Sequence, residues 1–266
     1  MNLLDDLKNI MDEASKIALK TSSEEESFEI IGRHGRDDTR VVDKVVEDFI
    51  VSKLLKKYRA LIITEERGRV SREGKLDYVF VVDPLDGSYN FIKGIPFTAI
   101  SIAVAEYSED ARLRDVFLGV VRDVFRGDFF AAVRGEGVYV NGELASVRKV
   151  PEATLVSAYF DEKTVDLFTR IYLKLNKPKV RTLGSAALEL CYTSIGTFNA
   201  FIDVRYALRA VDISAGVLVV REMGGTVLNL SGEKLDYRLD TKEGISLVAS
   251  LNKTLAEEIV NTIKGS

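Results

Sequence analysis

Apolar residues recur at helical spacing over residues 3–20, where Leu3, Leu4, Leu7, Ile10, Met11, Ala14, Ile17 and Ala18 share one face with charges between them. That spacing predicts an amphipathic helix. The polar stretch from Thr21 to Thr39 carries two glycines, His34 and several acids, and predicts a mobile loop. A second amphipathic helix is expected from Val41 to Tyr58, with Val42, Val45, Val46, Phe49 and Ile50 inward. A short strand, Leu61–Thr64, then a charged loop, lead into the apolar run Tyr78–Val82, which reads as a buried strand ending at Asp83. A short helix is expected after Ser88.

From Thr98 the pattern turns to β. Thr98–Ala105, Val116–Val121, Phe129–Val133 and Gly137–Val140 are separated by Gly- or Asp-containing turns and predict an antiparallel meander. After Pro151 strands and helices alternate. The expected strands are Thr154–Tyr159, Phe198–Val204, Thr226–Leu230 and Ser246–Ala249. The expected helices are Val165–Leu175, Ala186–Ser194, Asp212–Met223 and Leu255–Ile263, with Gly224-Gly225 as a helix stop. The pattern therefore divides into an α+β half (residues 1–145) and an α/β half (146–266), with a boundary near 141–151. No internal repeat is visible.

Composition narrows the function. At 266 residues, 46% hydrophobic and 29% charged, the chain can bury the core of one large domain or of two modest ones sharing a cleft. A net charge of −4 with no Lys/Arg-dominated face argues against nucleic acid as a partner. The amphipathic, acidic N-terminus does not resemble a signal peptide, and no apolar run is long enough to span a membrane, so a cytoplasmic protein is expected. The single cysteine, Cys191, excludes an intramolecular disulfide, suits a reducing compartment and falls on an apolar helical pattern as a core thiol. Absent Gln and Trp beside abundant charge is a hyperthermophile tendency. One His and one Cys argue against a zinc hydrolase or a Ser-His-Asp enzyme. Any chemistry must run on carboxylates and a hard metal.

The run VVDPLDGSYNF, Val81 to Phe91, supplies them. Asp83 and Asp86 lie three residues apart across Pro84, and Gly87 enforces a turn, so both carboxylates are expected to overhang a sheet end. Oxygen donors on a stiff loop suit Mg²⁺, and outward amides at Gly87, Ser88 and Tyr89 suit a phosphate. The same letters also fit an ordinary β-turn; their company decides. Glu65 or Glu66, just after Leu61–Thr64, adds a third carboxylate if that strand pairs beside Tyr78–Val82; otherwise both are solvated charges. Asp212, in LRAVDISAG, is either an acid stabilised by its helix dipole or, among Ala210, Val211 and Ile213, one that needs a partner or a metal. Asp43 is either a surface acid or an orienting group behind the site.

The combination of ITEE, DPLDGSYNF, GSAALEL and RAVDISAG, in this order and at these separations, resembles the inositol monophosphatase family of Mg²⁺-dependent, lithium-sensitive phosphatases over nearly the whole chain. It is most similar to the archaeal branch that also hydrolyses fructose 1,6-bisphosphate. The resemblance implies a five-layered αβαβα sandwich, usually a homodimer, and two or three Mg²⁺ per subunit. It implies that Glu65, Asp83 and the Leu85 carbonyl hold one metal, and that Asp83, Asp86 and Asp212 hold a second, with a third near Glu65. Gly87 and Ser88 would bind phosphate, and Ser88 with Asp43 would orient the attacking water, Ser standing where the family usually has Thr. Gly184, Ser185 and Ala186 fall where the family contacts the sugar ring. Val211 replaces the Trp that commonly precedes the last metal-binding Asp. Arg205 stands where animal members have a Glu; it either pairs with a second phosphate, favouring a bisphosphate, or bridges to Asp203. The loop Gly32–Thr39 is expected to close over the site, with Asp37 or Asp38 near the third metal.

The expected activity is hydrolysis of inositol 1-phosphate and fructose 1,6-bisphosphate by metal-activated water. A 3′-phosphoadenosine 5′-phosphate phosphatase shares the metal motifs but needs an adenine pocket that no motif marks. A non-catalytic interaction protein on the same scaffold is the third possibility.

Overall fold

Amphipathic segments fold where their apolar stripes find a common surface, and here three such surfaces are stacked. A computed structural model describes residues 2–21, 29–34, 37–148 and 154–265, with 32–34 and 37–39 described by their backbone alone. Helix α1 (Leu3–Thr21) buries Leu7, Ile10, Met11, Ala14 and Ala18 and packs along α2, which is formed later in the chain by Val41–Lys57. Between them, where a loop was expected, β1 (Ile30–His34) and β2 (Asp37–Arg40) form an antiparallel hairpin, Ile30 opposite Arg40 and His34 opposite Asp37. Neither strand alternates apolar and polar residues, so hydrophobic pattern carries no trace of it. The side chains of His34, Asp37 and Asp38, and with them the expected role of either acid, lie outside the described residues.

The first sheet has eight strands: β3 (Ala60–Thr64), β4 (Gly68–Ser71), β5 (Tyr78–Asp86), β6 (Ala99–Glu106), β7 (Val116–Asp123), β8 (Phe129–Val133), β9 (Gly137–Val140) and β10 (Glu143–Leu144). Their order is β10-β9-β8-β7-β6-β5-β3-β4. The predicted meander is β6 to β9, each antiparallel to the next. Strand β4 was expected as part of a charged loop; it is a half-exposed edge strand whose single apolar residue, Val70, leaves no periodic signal. Helix α3 (Ser88–Ile92) is inserted between β5 and β6.

The second sheet is mixed. Its strands β11 (Leu155–Tyr159), β12 (Lys179–Arg181), β13 (Ala200–Leu208), β14 (Thr226–Leu228) and β15 (Ile245–Ser250) are ordered β12-β11-β13-β15-β14, with β11 parallel to both neighbours and β15 antiparallel to both of its own. Helices α4 (Val165–Lys174), α5 (Ala186–Ser194), α6 (Ala210–Glu222) and α7 (Lys253–Lys264) complete the chain. The first sheet ends at Leu144 and the second begins at Leu155; residues 149–151 of the expected boundary lie outside the described residues.

Three apolar cores hold the five layers together, the central one enclosing the α5/α6 layer. One lies between α1/α2 and the first sheet, one between the two sheets around α5 and α6, and one between the second sheet and α4/α7. This is the αβαβα sandwich expected from the sequence. Buried apolar area of this extent is the main stabilising contribution. The central layer is thin because its contacts are small: a Cβ on Gly216 of α6 would stand 2.8 Å from Leu190 of α5, and one on Gly119 of β7 would stand 2.9 Å from the Ala215 carbonyl. The small residues Ala215 and Gly216 of α6 thus let helix and strands approach closely.

Candidate active site

Strand β5 does not end at Asp83. It continues through Pro84 to Asp86, and its ladder with β6 jumps from Asp83 opposite Ser101 to Asp86 opposite Ala99. Proline has no N–H for a ladder and is accommodated at such a bulge. Inside the bulge an Asp83 oxygen accepts the Leu85 N–H at 3.0 Å, which fixes the carboxylate against its own backbone. The neighbouring β3 is parallel to β5, Thr64 opposite Val82. Parallel strands end side by side, so Glu65 emerges next to Asp83, as the sequence required.

Gly87 then turns the chain into α3 with φ +88°. A side chain is excluded there on two grounds: the left-handed conformation, and a Cβ position only 2.8 Å from the Gly184 carbonyl and 3.1 Å from that of Phe97. The turn at 183–185 is pinned from the other side by Asn90, which donates to the carbonyls of Leu183 (2.6 Å) and Phe97 (2.8 Å). Asp86 reaches across to the same segment. It accepts the Ser185 hydroxyl at 2.6 Å and the Ala187 N–H at 2.7 Å, so it caps the N-terminus of α5.

Asp212 enters from α6. It occupies the third helical position, near the helix start where the sequence placed it, and there it also accepts the Arg209 N–H at 2.8 Å as a cap. Asp43 does the same for α2, accepting the Arg40 N–H at 3.0 Å. The Arg209 side chain donates to Asp212 at 3.1 Å through Nε and to Glu65 at 2.5 Å through Nη1.

These elements surround a cleft of about 770 Å³. Glu65, Asp83, Leu85, Asp86, Gly87, Ser88, Gly184, Ala186, Arg205 and Asp212, all expected at the site, line it. Ser185 is fully buried with its hydroxyl committed to Asp86. Asp43 is buried at the start of α2, with Glu66, Arg40 and Glu47 as charged neighbours. Burial, opposed by the Arg40 N–H, raises its carboxyl to about 7. Its Oδ1 is buried without a hydrogen-bond partner among the described residues. Arg205 takes the intramolecular option: Nε and Nη2 donate to the buried Asp203 at 3.0 and 2.6 Å, and the guanidinium lies 4.4 Å from the centre of the Tyr159 ring.

The electrostatics of the cluster are those of too many anions in too little water. Burial, with Asp212 and Glu66 adding repulsion against Arg209, raises Glu65 to about 8. Burial and the charges of Glu65, Asp86 and Asp212 push Asp83 well up. Burial and Asp212, opposed by Ser185, raise Asp86 to about 7. Crowded carboxylates with raised affinity for protons are equally a site for a cation. The donor set is all oxygen, which fits a hard divalent ion such as Mg²⁺ and not zinc. Among the described residues no three His, Cys, Asp or Glu side chains are already drawn together as a metal-holding group; Arg209 bridges two of the four carboxylates instead.

Sequence reasoning missed Arg209, although its place three residues before Asp212 puts it at the helix N-cap, the one signal available. It also missed Glu189, buried in α5, which accepts the Leu183 N–H at 3.0 Å and the hydroxyls of Ser157 and Tyr159. Tyr159 in turn accepts the Gly184 N–H at 2.9 Å, so this network holds the 183–185 turn beneath the cleft.

Comparisons with known proteins agree with this architecture. The family model described as the inositol monophosphatase family matches residues 2–265. A fructose-1,6-bisphosphatase/inositol-1-monophosphatase of Methanothermobacter thermautotrophicus is 38% identical over 254 residues, covering 90% of this chain and 89% of that protein. A bifunctional NADP phosphatase/NAD kinase of Methanococcus maripaludis is 30% identical, covering 98% of this chain and 49% of that longer protein. A solved structure from Pyrococcus horikoshii, described as having similarities to inositol-1 monophosphatase, superposes with a TM-score of 0.81 at 34% identity, covering 96% of this chain and 95% of that one.

Proposed function

The chain belongs to the inositol monophosphatase family, and from that premise we propose that it is a Mg²⁺-dependent phosphatase of sugar or inositol phosphate monoesters, with inositol 1-phosphate and fructose 1,6-bisphosphate as substrates. The observation that carries this reading is the convergence of Glu65, Asp83, Asp86 and Asp212, from three separate elements, on one cleft that Gly87 and Ser88 also line.

Glu65, Asp83, Asp86, Asp212 and the Leu85 carbonyl would hold two or three Mg²⁺. When bound, such ions neutralise a phosphate dianion, lower the pKa of water and stabilise the leaving oxygen. The protein supplies the rest. The bulge at Pro84 and the cap on α5 fix Asp83 and Asp86, so little reorganisation is needed on binding. Gly87 lets the backbone approach the phosphate where no side chain would fit. Ser88, half-buried on the cleft wall, and Asp43, whose Oδ1 is buried without a hydrogen-bond partner among the described residues, would orient the attacking water. No covalent phosphoenzyme is required.

Arg205 is engaged with Asp203, which favours a structural role over capture of a second phosphate. Specificity for a bisphosphate would then have to come from elsewhere on the cleft wall. A second reading, NADP as substrate, is supported by the Methanococcus relative and by two exposed aromatic rings on the cleft wall, Tyr89 and Tyr206.

The test is phosphate release from inositol 1-phosphate, fructose 1,6-bisphosphate and NADP, each with and without Mg²⁺, on the wild type and on Asp83→Asn and Asp212→Asn. Mg²⁺-dependent turnover of the first two, lost in both variants with circular dichroism unchanged, is expected. Near-normal activity in Asp83→Asn would remove the site assignment. Turnover of NADP alone would replace the substrate class.

A further inference from the structure

We propose that Arg209 is a built-in cation that holds the metal-free carboxylate cluster together and competes with divalent ions for Glu65 and Asp212. This rests on the metal-dependent reading above and concerns what occupies the same oxygens before a metal arrives.

The geometry is that of a bridge. Arg209 Nη1 donates to Glu65 Oε1 at 2.5 Å, while Nε and Nη2 lie 3.1 and 3.0 Å from Asp212 Oδ1. Glu65 follows β3 of the first sheet and Asp212 begins α6 of the central layer, so the guanidinium ties together two layers that no ladder hydrogen bond joins at this point. Both carboxylates are largely buried, and their side chains are only 15% and 9% exposed. Two anions in such surroundings repel unless a cation lies between them.

A divalent ion ligated by these oxygens would stand within a few ångströms of the guanidinium, where like charges oppose each other strongly. The two cations therefore exclude each other. Arg209 can swing its side chain away from the two carboxylates while its backbone stays in place. Its backbone is fixed by the N–H donated to Asp212, but its side chain is 38% exposed and lies on the cleft wall, so rotation about its long stem carries the charge outward. Removing the bridge also frees the oxygens of Glu65 and Asp212 for a divalent ion. The consequence is a raised threshold for metal: the site stays ordered when Mg²⁺ is scarce, and fills only when the ion can displace the arginine.

The experiment is calorimetric titration of Mg²⁺ into substrate-free wild type, Arg209→Gln and Arg69→Gln, with melting temperatures measured alongside. Arg69 lines the same cleft but pairs with Asp240, so its loss removes a positive charge without touching the bridge. Arg209→Gln should bind Mg²⁺ about ten-fold more tightly, and Arg69→Gln should stay within about two-fold of wild type. Metal-free Arg209→Gln should melt below wild type and gain more from Mg²⁺. If Arg209→Gln does not fold, Arg209→Lys carries the same expected direction, since an ammonium does not reproduce the planar fork across two carboxylates. Unchanged or weaker Mg²⁺ binding in the Arg209 variant would overturn the proposal, as would equal tightening in both variants. A wild type that binds no Mg²⁺ would instead overturn the metal-dependent reading, and the proposal with it.

Discussion

Ser185 donates its hydroxyl to Asp86 across 2.6 Å, joining two positions 99 residues apart in the chain. The bond makes one residue of the DPLDGS loop the cap of a helix in the other half of the molecule, so the cleft is tied at the carboxylate itself. A buried hydrogen bond to a charged group contributes about 1.5–3 kcal/mol. Ser185→Ala should lower the unfolding free energy by that amount, seen as a lower urea midpoint at an unchanged m-value. An unaltered midpoint would show that the Ala187 N–H alone suffices as Asp86's partner.

Gly87→Ala tests whether the turn into α3 tolerates any side chain. The left-handed backbone and the 2.8 Å approach to the Gly184 carbonyl both oppose a methyl group. A loss of about 1–3 kcal/mol in stability is expected from the strained conformation. The 183–185 turn must also shift, so kcat/KM for any phosphate ester should fall about 100-fold. Wild-type kinetics in this variant would remove the loop from the mechanism.

Arg205 and Asp203 should behave as a coupled pair. Arg205→Ala leaves the fully buried Asp203 carboxylate without its cation, which costs about 3–5 kcal/mol. Adding Asp203→Asn should recover part of that loss, and a double-mutant cycle on thermal or urea unfolding measures the coupling. Additive effects would mean that the two side chains do not interact. A rise in KM for fructose 1,6-bisphosphate larger than for inositol 1-phosphate would return Arg205 to the substrate.

Asp6 gives the N-terminal helices an acid-sensitive clasp. Its burial opposes ionisation, but hydrogen bonds from Lys57 and from the Tyr58 hydroxyl, at 2.5 Å, hold the carboxyl below its ordinary value near 3.8. An acid whose folded pKa is depressed contributes stability that is fully present above its unfolded pKa and is lost as pH falls through the folded one. Asp6→Asn should therefore be less stable than wild type at pH 7, with the gap closing below about pH 4. A gap that stays constant from pH 7 to pH 3 would show that the effect is packing and not charge.

Much of the site was legible in the chain because its chemistry depends on short local runs. The pair Asp83 and Asp86 with Gly87 states both the carboxylates and the turn within five residues, and an acid three places into α6 is sufficient to place Asp212 at a helix start. Hydrophobic periodicity also located α1 and α2, which each bury one regular face, while near-continuous apolar runs marked α5, α6 and the central strand β6, which are buried almost all round. The hairpin β1–β2 and the edge strand β4 have no such face, and backbone pairing alone makes them strands.

What only the tertiary structure decided are the relations that cross the chain. Pro84 prolongs β5 as a bulge because Ala99 on β6 is there to pair with Asp86. Ser185 turns inward because Asp86 needs a donor, Arg205 is held by Asp203, and Arg209 bridges Glu65 to Asp212 over 144 positions from the first of them. Residue identity determines which groups can carry charge or permit a turn. Which of those groups become partners depends on the burial of several charges in one place, and burial exists only once the layers have packed.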